Sequence, residues 1–244
     1  MPYLRGRYHE LGILADLIMR QSLQPKMLEF EIRRARTSEI DRLTELHMAV
    51  FKPEDNIPVL LGRRYVRATY RWLVMSKRAY ALVAVAQDKI IGLVAISDIS
   101  FTKPMFKACL REFLLSVVLK PSLFFKKRLW KRLIRGEGRT TQLGRRFANN
   151  PHIAQMTIGV VDREFRGQGI FPALIDATKD VSRSRGSRAI RAGVYKANRQ
   201  SRRAFEKVGW VETSELETVD LVFYVAYLDP NIGKELRVGI QEPT

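Results

Sequence analysis

The chain has 244 residues, enough for one domain with insertions or for two very small ones. Its composition, 46% hydrophobic and 28% charged, excludes an intrinsically disordered chain. The 43 Lys and Arg residues outnumber the 25 Asp and Glu residues, and the net charge of +18 favours anionic partners over a polycationic substrate.

Cysteine and histidine usage narrows the class further. The single cysteine, Cys109, excludes an intramolecular disulfide and indicates a reducing compartment. This cysteine and three scattered histidines do not make a zinc site of the usual N/S kind, so we expect no metal. No apolar run reaches the length of a membrane-spanning helix, and Glu10 and Asp16 interrupt the apolar centre that a signal peptide needs. These features predict a cytoplasmic protein.

The first part of the chain predicts an N-terminal extension over 1–26, followed by one α/β domain over 27–230. Leucines at helical spacing mark the extension. The next predicted elements are a strand over Glu29–Arg34, a helix that begins after Thr37–Ser38, a second helix over Val59–Met75, and strands over Tyr80–Ala86 and Ile90–Ile96. The residues Gln87-Asp88-Lys89 between these two strands are typical of a hairpin turn.

Residues 99–150 interrupt this order as a basic insertion after the third strand. Within 103–146 there are thirteen Lys or Arg residues and two acids, which is +11 of the total charge. Apolar residues recur every three or four positions on both sides of Pro121 and predict two amphipathic helices joined there. Three roles stay open: a cover over a cleft, recognition of an anionic substrate, or contact of 103–135 with the inner face of an anionic membrane.

Regular α/β order returns after residue 150. The predicted elements are a strand over Ile153–Val161, a helix over Gly169–Arg185, a strand over Ala189–Val194, a helix over Arg199–Val208, and strands over Val211–Glu217 and Val219–Tyr227. A polar tail is predicted over 231–244. The fold class is therefore mixed α/β.

The segment 158–171 carries the clearest chemical signal, because a strand leads through a loop with two glycines into a helix. Glycines let backbone N–H groups approach a ligand, and a helix N-terminus adds partial positive charge, so the segment predicts a phosphate or pyrophosphate site. It is not a nucleotide P-loop, because no Gly-Lys-Ser/Thr follows. It is not a dinucleotide fingerprint either, because Pro172 replaces the third glycine and Ser187-Arg188 stand where an acid is required.

The residues Arg166-Gly167-Gln168-Gly169-Ile170 resemble the Arg/Gln-x-x-Gly-x-Gly/Ala pyrophosphate loop of the GNAT acetyltransferase superfamily. Downstream, Asn198, Ser201 and the run Phe205–Trp210 resemble the second signature of that family, an Asn-led helix that ends in Gly and an aromatic residue. The resemblance covers about 27–228, without 99–150.

The resemblance implies a GNAT-like mixed sheet flanked by helices, with acetyl-CoA as acyl donor in the splay between strands 153–161 and 189–194. It assigns the pantetheine arm to the backbone of Ile158, Gly159 and Val160. It assigns the pyrophosphate to the amides of Gly167, Gln168, Gly169, Ile170 and Phe171, with Arg166 beside them. It also places Asn198, Ser201 and Phe205 along the far side of the cofactor.

Two positions depart from the family pattern. Phe171 stands where a small residue ends the loop, so its side chain must point away from the pyrophosphate. Phe205 stands where many members have a tyrosine that protonates the departing thiolate, and phenylalanine has no proton to give. Tyr195 is a substitute candidate for that role, and His152 and Asp98 are candidates for the general base, beside an ordered water. The pair Glu54-Asp55 is a candidate for contact with the acceptor.

The leading hypothesis is an N-acetyltransferase that moves the acetyl group of acetyl-CoA directly to a small-molecule amine. The pattern Leu61-Gly62…Tyr70 and the long insertion are loosely similar to GNAT members of polysaccharide synthesis, which suggests an amino sugar or another anionic amine as acceptor. The alternative is a catalytically impaired binding module that docks on an anionic membrane or on nucleic acid through the insertion. Nucleic acid is the weaker partner, because the chain carries no recognisable nucleic-acid motif.

Overall fold

The computed structural model describes residues 28–98, 101–126 and 142–238. The strands in these ranges are β1 (Glu31–Arg34), β2 (Ala79–Ala86), β3 (Lys89–Asp98), β4 (Ile153–Val161), β5 (Ala189–Tyr195), β6 (Val211–Glu212) and β7 (Leu221–Tyr227). The helices are α1 (Ile40–Val50), α2 (Ile57–Leu61), α3 (Arg63–Met75), α4 (Thr102–Ala108), α5 (Leu110–Leu119), α6 (Gln142–Asn149), α7 (Ile170–Ser184), α8 (Arg199–Lys207) and α9 (Ile232–Arg237).

These strands form one mixed sheet in the order β1-β2-β3-β4-β5-β7-β6. The neighbours from β1 to β4 are antiparallel, β4 and β5 are parallel, and β7 lies antiparallel to both β5 and β6. The predicted mixed α/β fold is confirmed. The predicted hairpin is present too, with Gln87 and Asp88 at φ of 49° and 60°, as a type I′ turn requires.

Helices cover both faces of the sheet and bury its apolar residues. On one face, α7 and α8 contribute Leu174, Ile175 and Phe205 to the largest buried cluster. On the opposite face, α1 and α3 cover the half formed by β2 and β3. The other half of that face is covered by α6 and α9, which pack on β5 and β7. The strand alternation of apolar residues determines which side chains meet each layer.

Two helices occupy the segment in which the sequence predicts one. α2 ends at Leu61, Gly62 has a φ of 104°, and α3 begins at Arg63. That φ lies in the region that L side chains rarely adopt, so the glycine permits the break.

The segment predicted as a polar tail begins with a packed helix. Ile232 and Leu236 of α9, one turn apart, are buried against α6 and β7. Arg188 pairs with Asp229 at 2.7 Å and with Glu235 at 2.6 Å, which fixes the approach to this helix. Two apolar residues at a spacing of four were a helical signal that the polar composition hid.

Within the basic segment, α4 and α5 pack on α3, with Phe113 and Val117 of α5 buried beside Leu61 and Tyr65. The second predicted helix, beyond Pro121, lies mainly outside the described residues, and the extension over 1–26 lies wholly outside them. None of the described helices is long and apolar enough to cross a membrane.

Candidate active site

β4 and β5 separate partway along their length. They pair only from Ile153 with Ala189 to Met156 with Ala192. Beyond that point β5 stays paired with β7 as far as Tyr195, and β4 stays paired with β3 as far as Val161. The parallel pair therefore opens into a gap toward the carboxyl ends of both strands.

A β-bulge lies where the gap begins. In the β3–β4 register, Ile96 opposes Met156 and Ala95 opposes Ile158, so Thr157 is an extra residue in β4. The Thr157 hydroxyl donates to the Ala95 carbonyl at 3.0 Å, which fixes the bulged residue. Bulges bend a strand and increase its local twist, and this one turns β4 away from β5.

The edge of β4 that faces the gap has backbone N–H and C=O groups that are not used in strand pairing. Among the described residues, β4 has no strand partner on this side after Met156. In an antiparallel pairing such as that with β3, alternate residues direct both N–H and C=O toward the other edge. The stretch Ile158–Val160 can therefore hydrogen-bond an extended ligand that lies in the gap.

The glycine loop follows β4 and is tied to β3. The Asp162 N–H donates to the Ile91 carbonyl at 2.8 Å, and Lys89 lies 3.7 Å from Glu164. Gly167 and Gly169 have φ of 80° and 78°, and a Cβ at either position would meet nothing within 4 Å. The loop thus presents an open backbone at the N-terminus of α7, which is the kind of position where proteins bind phosphate groups.

Arg166 is exposed beside this loop. Its Nε lies 3.4 Å from the Val161 carbonyl, so its guanidinium is held near the end of β4. Gln168, also exposed, donates to the Glu164 carbonyl at 3.5 Å.

The Phe171 ring is directed toward β4 and not over the two glycines. A Cβ at Gly159 would lie 2.7 Å from Phe171 Cε2, so the ring fills the space that the glycine leaves. The ring also meets Phe205 edge-on, with centroids 5.7 Å apart. The large residue in the loop and the glycine in the strand are therefore complementary in size.

Asn198 caps the N-terminus of α8, and Ser201 and Phe205 lie within this helix. The Asn198 side chain caps the helix by accepting from the Ser201 N–H at 3.1 Å. Phe205 is fully buried and stacks on Tyr224 at 5.3 Å between centroids. This aromatic packing holds α8 against the sheet behind the gap.

The three catalytic candidates lie at different ends of the gap. Tyr195 is exposed at the carboxyl end of β5, where the gap is open. Asp98 and His152 lie at the closed end, where Asp98 accepts from Arg78 at 3.0 Å. His152 is five residues before the bulge, about 17 Å along an extended strand. The structure does not bring these three side chains together.

A row of buried polar residues crosses the closed end of the sheet. Ser97 opposes Gln155, and Gln155 opposes Arg191 in the registers of β3, β4 and β5. The Arg191 Nε donates to Gln155 Oε1 at 2.5 Å, and its guanidinium lies 5.4 Å from the centre of the Phe223 ring. The sequence does not predict this row, because each residue interrupts an otherwise apolar strand and the register that aligns them is not visible in the sequence.

Glu54 and Asp55 are exposed in the loop between α1 and α2. The next residue, Asn56, caps α2 and also contacts His47, which is buried. Among residues 28–98, 101–126 and 142–238, no three His, Cys, Asp or Glu side chains are grouped as a metal site would need.

Comparison with protein families identifies the segment that holds this site. The sequence model of the Acetyltransferase (GNAT) family matches residues 142–210, from α6 to Trp210. The matched segment includes β4, the glycine loop, α7, β5 and α8. No curated protein matches the chain.

Solved structures share the fold over about four fifths of the chain. The PaiA N-acetyltransferase from Thermoplasma acidophilum, in complex with coenzyme A, has 10% identity and a TM-score of 0.53, over 82% of this chain and 99% of that one. A Desulfovibrio desulfuricans protein assigned to the GNAT family has 11% identity and a TM-score of 0.51, over 82% and 99%. The GNAT domain of S. lividans PAT has 17% identity and a TM-score of 0.51, over 80% and 89%. At these identities the structures show the fold, and together with the family match they confirm the predicted resemblance.

Proposed function

Since the chain carries a GNAT acetyltransferase domain, we propose that it moves the acetyl group of acetyl-CoA to the nitrogen of a small amine by direct transfer. The main support for the proposal is that the gap between β4 and β5 and the open glycine loop adjoin at the end of β4. The gap begins at the Thr157 bulge, and the loop stands at the N-terminus of α7.

The loop is proposed to hold the pyrophosphate. The backbone N–H groups from Gly167 to Phe171 belong to the loop and the first residues of α7, at the positive end of the α7 dipole. Arg166 adds a charge-assisted hydrogen bond to a phosphate oxygen.

The β4 edge is proposed to hold the pantetheine arm and orient the reacting carbonyl. Bound acetyl-CoA supplies an acetyl thioester. Ile158, Gly159 and Val160 offer backbone groups along the gap, and an N–H aimed at the thioester oxygen stabilises the charge that develops on it. Asn198, Ser201 and Phe205 hold the opposite wall by keeping α8 in place.

Tyr195 is the proposed acid for the departing thiolate, because it alone of the three catalytic candidates lies at the open end of the gap. Asp98 and His152 lie beyond the closed end, so we propose that water accepts the amine proton. The acceptor is proposed to be an amino sugar or another amine with an anionic group, which the net charge of +18 attracts.

The test is release of the CoA thiol from acetyl-CoA by the purified chain, measured against a panel of amino sugars and anionic amines. We expect release that depends on the amine. The variant R166E should lower kcat/KM for acetyl-CoA about 10- to 100-fold, because it replaces a phosphate partner with a repelling charge.

The matched control is R183E, the same charge change at the opposite end of α7, and it should retain wild-type kcat/KM within about threefold. Equal kinetics for R166E and wild type would contradict the pyrophosphate assignment. Thiol release from no amine in the panel, with acetyl-CoA bound, would contradict the assigned acceptor class alone.

A further inference from the structure

α5 exposes a stripe of apolar side chains to solvent. Leu114 is 54%, Val118 72% and Leu119 64% exposed, and Leu110 and Leu115 extend the stripe. The exposed residues recur at a spacing of four, so they share one side of the helix. Phe113 and Val117, on the other side, are buried against the domain. The helix is thus apolar on the side that faces water as well as on the side that packs.

Exposed cations flank this stripe along the chain. Five Lys or Arg residues lie in 103–126, against the single acid Glu112: Lys103, Lys107, Arg111, Lys120 and Lys126. All five are exposed, and none forms an ion pair with a described residue. Phe125, just beyond α5, is 86% exposed and adds an aromatic ring. We call these five cations, the apolar stripe and Phe125 the α5 surface.

The α5 surface is fixed to the domain on the side away from the glycine loop. The rings of Tyr65 in α3 and Phe113 in α5 lie 6.5 Å apart edge-on, and Cys109 and Leu123 are buried in the same cluster. α3 covers one face of the sheet, whereas the loop leads into α7 on the other. A partner on the α5 surface therefore leaves the loop open.

Charge identifies the kind of partner. The chain segments outside the described residues that could cover the stripe are themselves basic, +2 for 1–27 and +5 for 127–141, except for the short 239–244 with one acid. A second copy would bring the same cations against themselves. Exposed apolar side chains flanked in the chain by exposed cations match the interface of an anionic bilayer, where the apolar residues enter the acyl boundary and the cations meet lipid phosphates.

We propose that the α5 surface docks this protein on anionic membrane. The proposal rests on α5 and its flanking residues and not on the acetyl transfer proposed above. Docking holds the domain at the bilayer while the glycine loop stays accessible.

Vesicle co-sedimentation of the full chain tests the proposal. The wild type should bind vesicles of phosphatidylcholine mixed with phosphatidylserine and bind phosphatidylcholine alone much more weakly. The variant K107Q/R111Q/K126Q should lose about a hundredfold in affinity for the mixed vesicles. The variant L114S/V118S/F125S should lose at least about tenfold.

The matched control K52Q/K77Q/K234Q removes the same charge from exposed positions outside the α5 surface and should bind within about threefold of wild type. Thermal melts that match wild type show that each variant is folded, since every changed residue is exposed. Equal binding of the α5-surface variants and the control would overturn the proposal. So would a wild-type dimer that L114S/V118S/F125S dissociates, because the stripe would then be a contact between copies.

Discussion

Gly159 and Phe171 form a size-matched pair at the wall of the candidate site. A Cβ at Gly159 would lie 2.5 Å from Met156 Cε and 2.7 Å from Phe171 Cε2. We expect Gly159→Ala to destabilise the protein by about 1–3 kcal/mol, because the Phe171 ring and the end of the Met156 side chain must both move. The displaced ring moves toward the loop, so acetyl-CoA affinity should fall as well.

A double-mutant cycle with Phe171→Ala checks this account. Removal of the ring leaves only the flexible end of Met156 to shift for the new methyl group, so G159A/F171A should recover the affinity that G159A loses. Chemical denaturation and calorimetric titration of the four proteins give both quantities. Additive effects on affinity would mean that the two residues act independently, against the contact described.

His47 is buried in a neutral hydrogen-bond pair. Its Nε2 donates to Asn56 Oδ1 at 3.2 Å, and its Nδ1 accepts from the Tyr70 hydroxyl at 2.8 Å. Burial lowers the pKa of His47 to about 4 from an ordinary value of 6.5. The unfolded chain therefore binds a proton in the window between these values that the folded chain does not, and stability falls as the pH drops through it.

The free energy of unfolding should be about 2 kcal/mol lower at pH 5 than at pH 7. Carboxylates with a lowered pKa, such as Glu39, lose their stabilising contribution as the pH falls through their ordinary value of 4.5, so they act mainly below pH 5. Denaturant titrations at both pH values measure the difference. It should largely disappear in His47→Gln and persist in His152→Gln, and a difference of the same size in both variants would contradict the assignment.

At the scale of elements, the glycine loop depends on two residues with left-handed backbone conformation, Gly167 and Gly169. Gly169 has a φ of 78° and ends the loop at the start of α7. Gly186, just beyond the other end of that helix, has a φ of 82° and equally open surroundings. Alanine at either position should cost about 1–2 kcal/mol of stability through backbone strain.

Only Gly169→Ala should weaken acetyl-CoA binding, by about tenfold or more, because relief of the strain moves the amides that face the phosphates. Gly186→Ala supplies the control with equal strain and an intact loop. Calorimetric titration of both variants separates the effects. Equal affinities in the two variants would argue against the loop as the phosphate site.

The predictability of each element follows from the range of the interactions that form it. The apolar spacing of 3.6 in α7 and the alternation in β2 and β3 are local, so the sequence predicts those elements. The bulge at Thr157 depends on the register with β3, and the break at Gly62 depends on how α2 and α3 pack. Patterns in a single sequence do not predict such non-local features, which also produce the gap between β4 and β5. Only the family resemblance predicts the gap itself.

At the scale of the whole molecule, the carboxyl-terminal segment closes the second face of the sheet. Ile232 and Leu236 complete the cluster between α6, β5 and β7. A chain that ends at Pro230 should lose at least about 3 kcal/mol of stability, because two fully buried aliphatic side chains are removed. Its melting temperature should fall by about 6 °C or more.

A chain that ends at Val238 is the control, since it retains α9 and should melt within about 1 °C of the full chain. An unchanged melting temperature of the shorter chain would mean that residues 231–244 do not stabilise the domain and form a free tail. The sequence does not predict α9, because polar residues outnumber its two buried apolar residues in this segment.

Acetyl-CoA binding is the property on which the gap, the loop and the family match converge. The most direct measurement is calorimetric titration of the purified full chain with acetyl-CoA. We predict one site per chain with a dissociation constant in the micromolar range, about −8 kcal/mol. The absence of detectable binding, in a protein that melts cooperatively, would contradict the assignment of the glycine loop and the β4–β5 gap as a cofactor site.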